Sequence, residues 1–306
     1  MKNVTTNILH QKNQSKINVS KIVAFVLLFI VCFIWILPLL YMLGTSFKDE
    51  IDLITNPTGL LPTKGHWTLE HYTGFIIREG QLDNLPKWMM NSIFVAVMSV
   101  VLTIIVDAFA AYAFVFLNLR GKETLFKLLL MSMTIPGVIG TTTSFAMFAT
   151  IGKSLDLLTQ QWYVFFWLIF PGLSGVFNMY LMKNFLDSIP KDIVESARSD
   201  GAKDFRIFIS IIMPLAKSTI LLIALFVFTG SWNNLLWPQL ILGATGNITG
   251  WSTVTVALTG YAAGDSLTRN GIAMATSVFS LIPIVIVFIF TQNKMIEGMA
   301  TTGIKQ

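Results

Sequence analysis

The sequence predicts an all-α membrane protein with six transmembrane helices and with both termini in the cytoplasm. Three observations favour this fold class. Of the 306 residues, 54% are hydrophobic and only 12% are charged, whereas about 25% of residues are charged in soluble domains. Apolar runs long enough to cross a bilayer recur along the chain. Basic residues cluster in alternate connecting segments. Because lipid offers no hydrogen bonds to the backbone, the spans are predicted to be helices.

Six apolar runs are the predicted spans, and they lie at residues 22–47, 88–119, 128–152, 157–182, 218–264 (first part) and 270–293. The first run has 26 residues without a charge. A signal peptide has an apolar core of about 7–15 residues, so this run is predicted to be a span and not a cleaved leader. The second run is interrupted only by Asp107.

The fifth run is too long for one helix. The loop signal GATGNITG at 243–250 predicts that its helix ends near Leu242. The following sequence, WSTVTVALTGYAAG, is predicted to be an interfacial or outward loop, with a short seventh span as the alternative.

The basic residues predict the orientation, since cytoplasmic segments are enriched in Lys and Arg. With the N-terminus inside, 15 of the 21 basic residues fall in inner segments. We therefore expect a cytoplasmic tail at 1–20 and a transmembrane domain at 21–306, with one large cytoplasmic loop at 183–214. This placement also explains the net charge of +5 without a nucleic-acid partner.

No catalytic or metal-binding pattern stands out in the sequence. The single cysteine, Cys32, rules out an intrachain disulfide. The triplet Gly152-Lys153-Ser154 imitates the end of a phosphate-binding loop, but Met147 stands where that loop requires a glycine. We therefore expect no ATP site, no enzyme activity and no cofactor in this chain.

The stretch ESARSDGAKDFRIFISIIMP at 195–214 is an unusually charged segment among the apolar runs. Ile189, Ile193 and Ala197 recur at helical spacing, with Pro190 in the first turn, where its missing N–H has no cost. Gly201 is predicted to end this helix, because glycine adopts the left-handed conformation of a turn. A second helix follows, with its apolar face at Phe205, Phe208, Ile209 and Ile212. The pattern is typical of a helix–turn–helix that docks a partner.

This segment resembles the coupling motif of bacterial ABC-importer permeases, which is EAA, three residues, G, and a later I-x-L-P. The chain has Glu195-Ser196-Ala197, Asp200-Gly201-Ala202, and Ile211-Ile212-Met213-Pro214. It departs from the motif at Ser196 and Met213. Further similarity narrows the family to the shorter, six-helix permease of maltose-type carbohydrate importers, and it is carried by Asn91-Ser92, Ala110-Ala111-Tyr112-Ala113-Phe114, Trp232-Asn233-Asn234, Trp237-Pro238 and the tail from Gln292.

The resemblance implies an ATPase contact through the charged segment. Glu195 would be the ion-pairing anchor, and small residues would allow close approach. Phe205 and Phe208 would carry force into the fifth span. The full set implied for this contact is Glu195, Ser196, Ala197, Asp200, Gly201, Ala202, Phe205, Phe208 and Pro214. The alternative is that this segment is an ordinary charged connecting loop.

The resemblance also implies the partners and the location. A second permease subunit would form a heterodimer with this chain, and two ATPase subunits would bind ATP and Mg²⁺. An extracytoplasmic sugar-binding protein would deliver the substrate. The location would be the lipid of the bacterial cytoplasmic membrane.

A carbohydrate pathway is predicted from amide, hydroxyl and aromatic side chains, which together suit a sugar. Matching outward from the motif indicates Phe170, Ser174, Phe177, Ser231 and Asn234. The alternative for the cluster around Ser231 and Asn234 is helix packing at a broken interface. Asp107 is a sixth candidate. A carboxylate within a span costs about 2.5–3.5 kcal/mol on insertion scales, so ionisable residues at such positions often have a function. A structural hydrogen bond is the alternative for Asp107.

Two other functions compete with carbohydrate import. The same machine could carry another cargo, such as glycerol phosphate, but no Lys or Arg lies deep in a span to bind an anion. A secondary transporter driven by an ion gradient would need intramembrane charges beyond Asp107 and would leave the segment at 195–214 unexplained.

Overall fold

The computed structural model describes residues 19–77, 85–173, 175–246, 248–262 and 267–303. Regular structure in these ranges is helical, and the one β-bridge recorded there joins Lys48 to Trp67. The α-helices are α1 (Val19–Thr45), α2 (Glu50–Thr55), α3 (Glu70–Ile77), α4 (Leu85–Phe116), α5 (Lys122–Ser132), α6 (Gly137–Ser154), α7 (Gln161–Ile169), α8 (Val176–Asp187), α9 (Lys191–Ser199), α10 (Asp204–Ile207), α11 (Met213–Leu215), α12 (Lys217–Trp232), α13 (Leu236–Thr245), α14 (Ile248–Trp251), α15 (Val254–Ala262) and α16 (Leu267–Gly303). The prediction of an all-helical chain is confirmed for this part of the sequence.

Three helices are long and apolar enough to cross a membrane by themselves: α1, α4 and the first part of α16. The count reaches six only if each of three bent pairs is one span. These pairs bend by 91° between α5 and α6, by 54° between α7 and α8, and by 77° between α11 and α12. A proline lies at or near each bend, namely Pro136, Pro171 and Pro214. Proline removes a helical hydrogen bond and clashes with the preceding turn, which favours a bend at each of these sites. The predicted count of six spans stays a prediction.

The fifth run also breaks earlier than predicted. α12 ends at Trp232, ten residues before the expected end at Leu242, and α13 begins at Leu236. The two tryptophans beside the break are buried against other helices. The Trp232 indole donates to the Ser280 carbonyl at 3.1 Å, and the Trp237 indole donates to the Trp167 carbonyl at 2.8 Å. These contacts hold the bend in place.

The stretch after residue 250 was expected to be a loop, and most of it is instead helix α15. Its start is fixed by α4. The Asn91 amide donates to the Ser252 carbonyl at 3.0 Å, and the Ser92 hydroxyl accepts the Val254 N–H at 2.8 Å. Asn91 and Ser92 thus fix the start of α15. Because they lie about 160 residues away in the chain, the local sequence of this stretch did not predict the helix.

α4 forms the centre of the packing and contacts α7, α8, α12, α14 and α15. By contrast, α1 touches α16 and has exposed apolar side chains along its length, as expected of a helix that faces lipid. The apolar core beside the C-terminal end of α4 joins that helix to the charged segment identified in the sequence. Its buried members include Ala111, Tyr112, Val115, Met182, Leu186, Val194, Ile207, Phe208, Ile212 and Ile223.

The connection between α1 and α4 is compact in its described part, residues 46–77, here named the first connection. Lys48 is fully buried, and its ammonium donates to the Asn56 and Gly59 carbonyls. Asp52 is also fully buried and accepts from the Thr63 N–H at 3.1 Å and the Thr63 hydroxyl at 2.7 Å. Both buried charges are therefore satisfied by groups within the first connection.

Candidate functional site

The charged segment folds as the predicted helix, glycine turn and second helix. α9 ends at Ser199, and Gly201 has a φ of +83°, in the left-handed region. The Ala202 N–H donates to the Ala197 carbonyl at 3.0 Å, and the Gly201 N–H donates to the Arg198 carbonyl at 2.9 Å. This bond pair defines a Schellman motif, in which glycine occupies the left-handed position and two small residues meet across the turn. The prediction that Gly201 ends the helix is confirmed.

α9 has one buried face and one open face. Val194 is buried, Ala197 is half-buried, and both pack into the core beside α4. Ile193, expected on the buried face, is 41% exposed, because the helix is rotated so that Val194 points inward. Glu195 and Ser196 lie on the open face. Within the described residues, the Glu195 carboxylate has no hydrogen bond or ion pair, which leaves it available to a partner.

The apolar face predicted for the second helix is only partly right. Phe208 and Ile212 are buried, as expected, but Phe205 is 63% exposed and Ile209 is 49% exposed. The reason is a π-helical turn at Phe208–Ile212, which follows the single α-helical turn of α10. A π-helical turn has more residues than an α-helical turn, so the residues before it and after it do not keep one periodicity. Ile207, just before the turn, is buried in place of Phe205.

The two phenylalanines contact α4, the second predicted span. The Phe208 ring stacks on Phe109 at 4.5 Å between centroids and meets Tyr112 edge-on at 5.4 Å. Phe205 stacks on Phe109 at 6.5 Å. The expected route for force was the fifth span, which follows Pro214 in the chain after the sharp bend before α12. The rings of Phe205 and Phe208 contact the second span as well, and their role in carrying force stays a prediction.

A polar network accompanies these ring contacts. The Arg198 guanidinium donates to Asp204 Oδ1 from Nη2 at 2.8 Å and from Nε at 3.0 Å. The same Nη2 donates to the Phe116 carbonyl at 3.0 Å, and the Tyr112 hydroxyl donates to Asp204 Oδ1 at 3.1 Å. The hydrogen bond with Asp204 raises the pKa of Arg198, so the pair remains ionised. Sequence reasoning missed this network, although opposite charges at positions 198 and 204 flank the glycine turn.

A cleft of about 400 Å³ lies between α9 and the end of α4. Glu195 and Arg198 line it, together with Val115, Phe116, Leu117, Asn118, Lys122, Lys191, Val194 and Asp204. Its wall therefore mixes both signs of charge with apolar surface. Among the described residues, no group of three or more His, Cys, Asp or Glu side chains could hold a metal ion.

The predicted pathway residues lie on separate elements. Phe170 stands in the turn after α7 and is 55% exposed, while Phe177 on α8 is 47% exposed and lies 6.2 Å from the Phe226 ring of α12. Ser174 lies outside the described residues. Asp107 is fully buried in α4.

The remaining two pathway candidates flank the end of α12. Ser231 is half-buried in its last turn. Asn234 is exposed, and its side-chain Oδ1 accepts a hydrogen bond from the Trp237 N–H at 3.4 Å. The roles of all six pathway residues therefore stay predictions.

Comparisons with known proteins identify a transport family and a solved structure with the same fold. The family described as "Binding-protein-dependent transport system inner membrane component" matches residues 108–294, which include the whole segment. The arabinooligosaccharides transport system permease protein AraQ of Halalkalibacterium halodurans is 28% identical over 275 residues, covering 90% of this chain and 93% of that protein. The galactooligosaccharides transport system permease protein GanQ of Bacillus subtilis is 28% identical over 282 residues, covering 92% and 94%.

A solved structure shares the fold. It is a crystal structure of a bacterial ABC transporter involved in the import of the acidic polysaccharide alginate. The TM-score is 0.74 at 24% sequence identity, and the match covers 90% of this chain and 96% of that chain.

Proposed function

The chain belongs to the binding-protein-dependent transport system inner membrane components, and we propose that it is the six-span permease of a carbohydrate importer driven by separate ATPase subunits. The observation that carries this proposal is the glycine-turned segment α9–α10, with its open face at Glu195 and its buried face against α4. A membrane protein that only needed to connect two spans would have no use for a rigid turn with an unpaired carboxylate beside it.

The ATPase would bind the open face of α9. Glu195 would form an ion pair with a basic residue of the ATPase, and the Schellman turn at Gly201 would permit close approach of its backbone. Ser196, Asp200 and Lys203 are exposed around it and would form the rim. In this arrangement ATP and Mg²⁺ bind to the partner, and this chain supplies the mechanical contact.

The cargo is proposed to be an uncharged carbohydrate, most simply an oligosaccharide. The relatives named above carry arabino- and galactooligosaccharides according to their names. The exposed rings of Phe170 and Phe177 beside a bent span, and the exposed amide of Asn234, have the chemistry that binds sugar faces and hydroxyls. A second permease subunit and an extracytoplasmic binding protein would complete the pathway.

The orientation proposed places both termini and α9 in the cytoplasm, with the first connection outside. It rests on the distribution of Lys and Arg. Single cysteines at Thr58 and Lys203, in a variant lacking Cys32, should react with an impermeant reagent from opposite sides of the membrane. Labelling of position 203 in intact cells would contradict the orientation and remove the ATPase contact with it.

Deleting the gene tests the function itself. Uptake of one oligosaccharide class should be lost and should return with the intact gene. In restored cells, depletion of ATP should stop uptake, whereas an ionophore that collapses ion gradients at constant ATP should leave it unchanged. Uptake that fails with the ionophore alone would identify a gradient-driven transporter instead.

A further inference from the structure

We propose that Arg198 is a positioning residue that ties α9 to the second span, α4, so that movement of the ATPase contact is passed to two spans and not to α12 alone. This inference rests on the proposed ATPase contact at α9. It goes further by naming the side chain that aligns this contact with the membrane helices.

The guanidinium of Arg198 joins the two neighbouring helices of the segment, α9 and α10, to α4, which lies about 80 residues earlier in the chain. It lies on α9 and bonds Asp204 at the start of α10 and the Phe116 carbonyl at the end of α4. Tyr112 of α4 closes the network by donating to the same Asp204 oxygen. Each of the two helices beside the glycine turn is therefore held to the last turns of α4.

Arginine suits this position for a geometric reason. Phe116 is the last residue of α4, and carbonyls in the final turn of a helix lack partners within that helix. A cation there is also favoured by the helix dipole. The planar guanidinium places several donors in a fixed fork, so it can bond the carboxylate and the carbonyl together. A lysine ammonium would keep the charge and lose this fixed direction.

The exposure of the Arg198–Asp204 pair indicates that it orients α9 on α4 and adds little to folding stability. The Arg198 and Asp204 side chains are 39% and 49% exposed, and ion pairs in such surroundings contribute little to folding stability. The apolar contacts of Val194, Ile207 and Phe208 with the core beside α4 do not involve Arg198. Loss of Arg198 is therefore expected to leave the segment folded while α9 loses its fixed angle to α4.

The test measures the number of sugars imported per ATP hydrolysed. Purified complexes in proteoliposomes, with binding protein and sugar outside and ATP accessible to the ATPase, give both rates from one preparation. We expect Arg198→Ala to retain the co-purified ATPase and to lower the transport ratio by about three- to tenfold. Arg198→Lys should recover part of the loss, and Tyr112→Phe, which removes one bond of the network, should cause a smaller loss.

Two controls make the result specific. Arg206→Ala removes an exposed arginine of the same segment and should leave the ratio unchanged. The exchange Arg198→Asp with Asp204→Arg restores an ion pair without the bond to the Phe116 carbonyl, so the ratio should stay low. A ratio unchanged in Arg198→Ala, or restored fully by the exchange, would overturn the positioning role. Absence of the ATPase from the unsubstituted complex would instead contradict the proposed function.

Discussion

Two polar segments leave the apolar helices of this protein, and they treat their charges in opposite ways. The first connection, residues 46–77, fully buries Lys48 and Asp52 and pairs both with neighbouring groups of its own chain. The segment at α9–α10 leaves Glu195, Asp200 and Arg206 exposed.

Burial of a charge is costly unless hydrogen bonds compensate for it. The first connection meets that cost with backbone and side-chain groups of its own residues. The segment at α9–α10 avoids it. A glycine turn and an apolar face secure its shape, Arg198 and Asp204 pair with each other, and Glu195 stays unpaired on the surface. Substitutions should consequently affect stability in the first connection and transport in α9–α10.

The largest loss of stability is expected from Lys48→Met, which conserves the length of the side chain and removes its donors. The Gly59 and Asn56 carbonyls would lose the ammonium, at about 1–3 kcal/mol for each buried group left unsatisfied. The midpoint of thermal unfolding of the purified complex should fall clearly. The matched control is Lys64→Met, at an exposed lysine of the same connection, which should change stability by less than about 0.5 kcal/mol. Equal unfolding midpoints for Lys48→Met and Lys64→Met would contradict the claim that the buried charges stabilise the first connection.

Glu195→Gln should have the converse effect. The carboxylate is exposed, so thermal stability of this chain should stay within about 0.5 kcal/mol of the original. Binding of the ATPase should weaken by about tenfold or more, because the substitution removes one charge of the proposed intersubunit pair. Titration of ATPase onto the purified permease pair measures this. A lower folding stability with unchanged ATPase affinity would show that Glu195 stabilises this chain and does not bind the ATPase.

Asn234→Ala should leave ATPase binding unchanged, and it should cost little stability because it removes only the long hydrogen bond from the Trp237 N–H at 3.4 Å. If its amide contacts the sugar, uptake at limiting sugar should fall by up to about tenfold, the value of one hydrogen bond to an uncharged partner. Gln239→Ala, at an exposed amide of the next helix, is the control. Normal uptake in Asn234→Ala would assign the sugar contacts to the partner permease.

The smallest effect is expected at Asp49, a half-buried charge of the first connection. The hydrogen bond from the Asp52 N–H, and then that with His66 at 2.8 Å, keep the pKa of Asp49 below its ordinary value of 3.8. A lowered carboxyl pKa adds stability above pH 3.8 that is lost as the pH falls further. Asp49→Asn keeps the capping oxygen, so the unfolding midpoint at pH 7 should barely change. If Asp49→Asn lowered the unfolding midpoint as much as Lys48→Met, burial of a charged side chain would not predict its contribution to stability.

The sequence predicted the straight spans more accurately than the bent ones. α1 was predicted at 22–47 and lies at Val19–Thr45, because a uniform apolar run leaves the chain one way to satisfy its backbone in lipid. α4 likewise lies at Leu85–Phe116 against a predicted 88–119. Pro136 and Pro171 were visible in the sequence, yet the sharpness of a bend depends on the helices that pack around it.

The charged segment shows the same division. The turn at Gly201 was predictable, because a left-handed residue after a helix strongly favours glycine. The burial of Ile207 and the exposure of Phe205 were not predictable, because the π-helical turn that follows them has no clear sequence signal and breaks the α-helical periodicity used for the prediction. The bond from Arg198 to Phe116 spans 82 residues, so only the packing of α9 on α4 could reveal it.

The central claim is that α9 and its glycine turn transmit work from an ATPase to the membrane helices. Gly201→Val tests it most directly, because a β-branched residue is strained at a φ of +83° and adds bulk at the docking surface. Two controls separate these effects: Gly201→Asn, which tolerates the left-handed conformation, and Gly121→Val, which meets similar strain at a φ of +76° in another turn with open space around it.

The measurement is sugar-stimulated ATP hydrolysis by the purified complex, together with the amount of ATPase that co-purifies. We predict that Gly201→Val loses most of both, that Gly201→Asn retains most of both, and that Gly121→Val keeps the stimulation of whatever complex assembles. Affinity of the binding protein for sugar should be the same throughout. Full stimulation and full ATPase recovery in Gly201→Val would contradict the account, since α9–α10 would then be an ordinary connection between two spans.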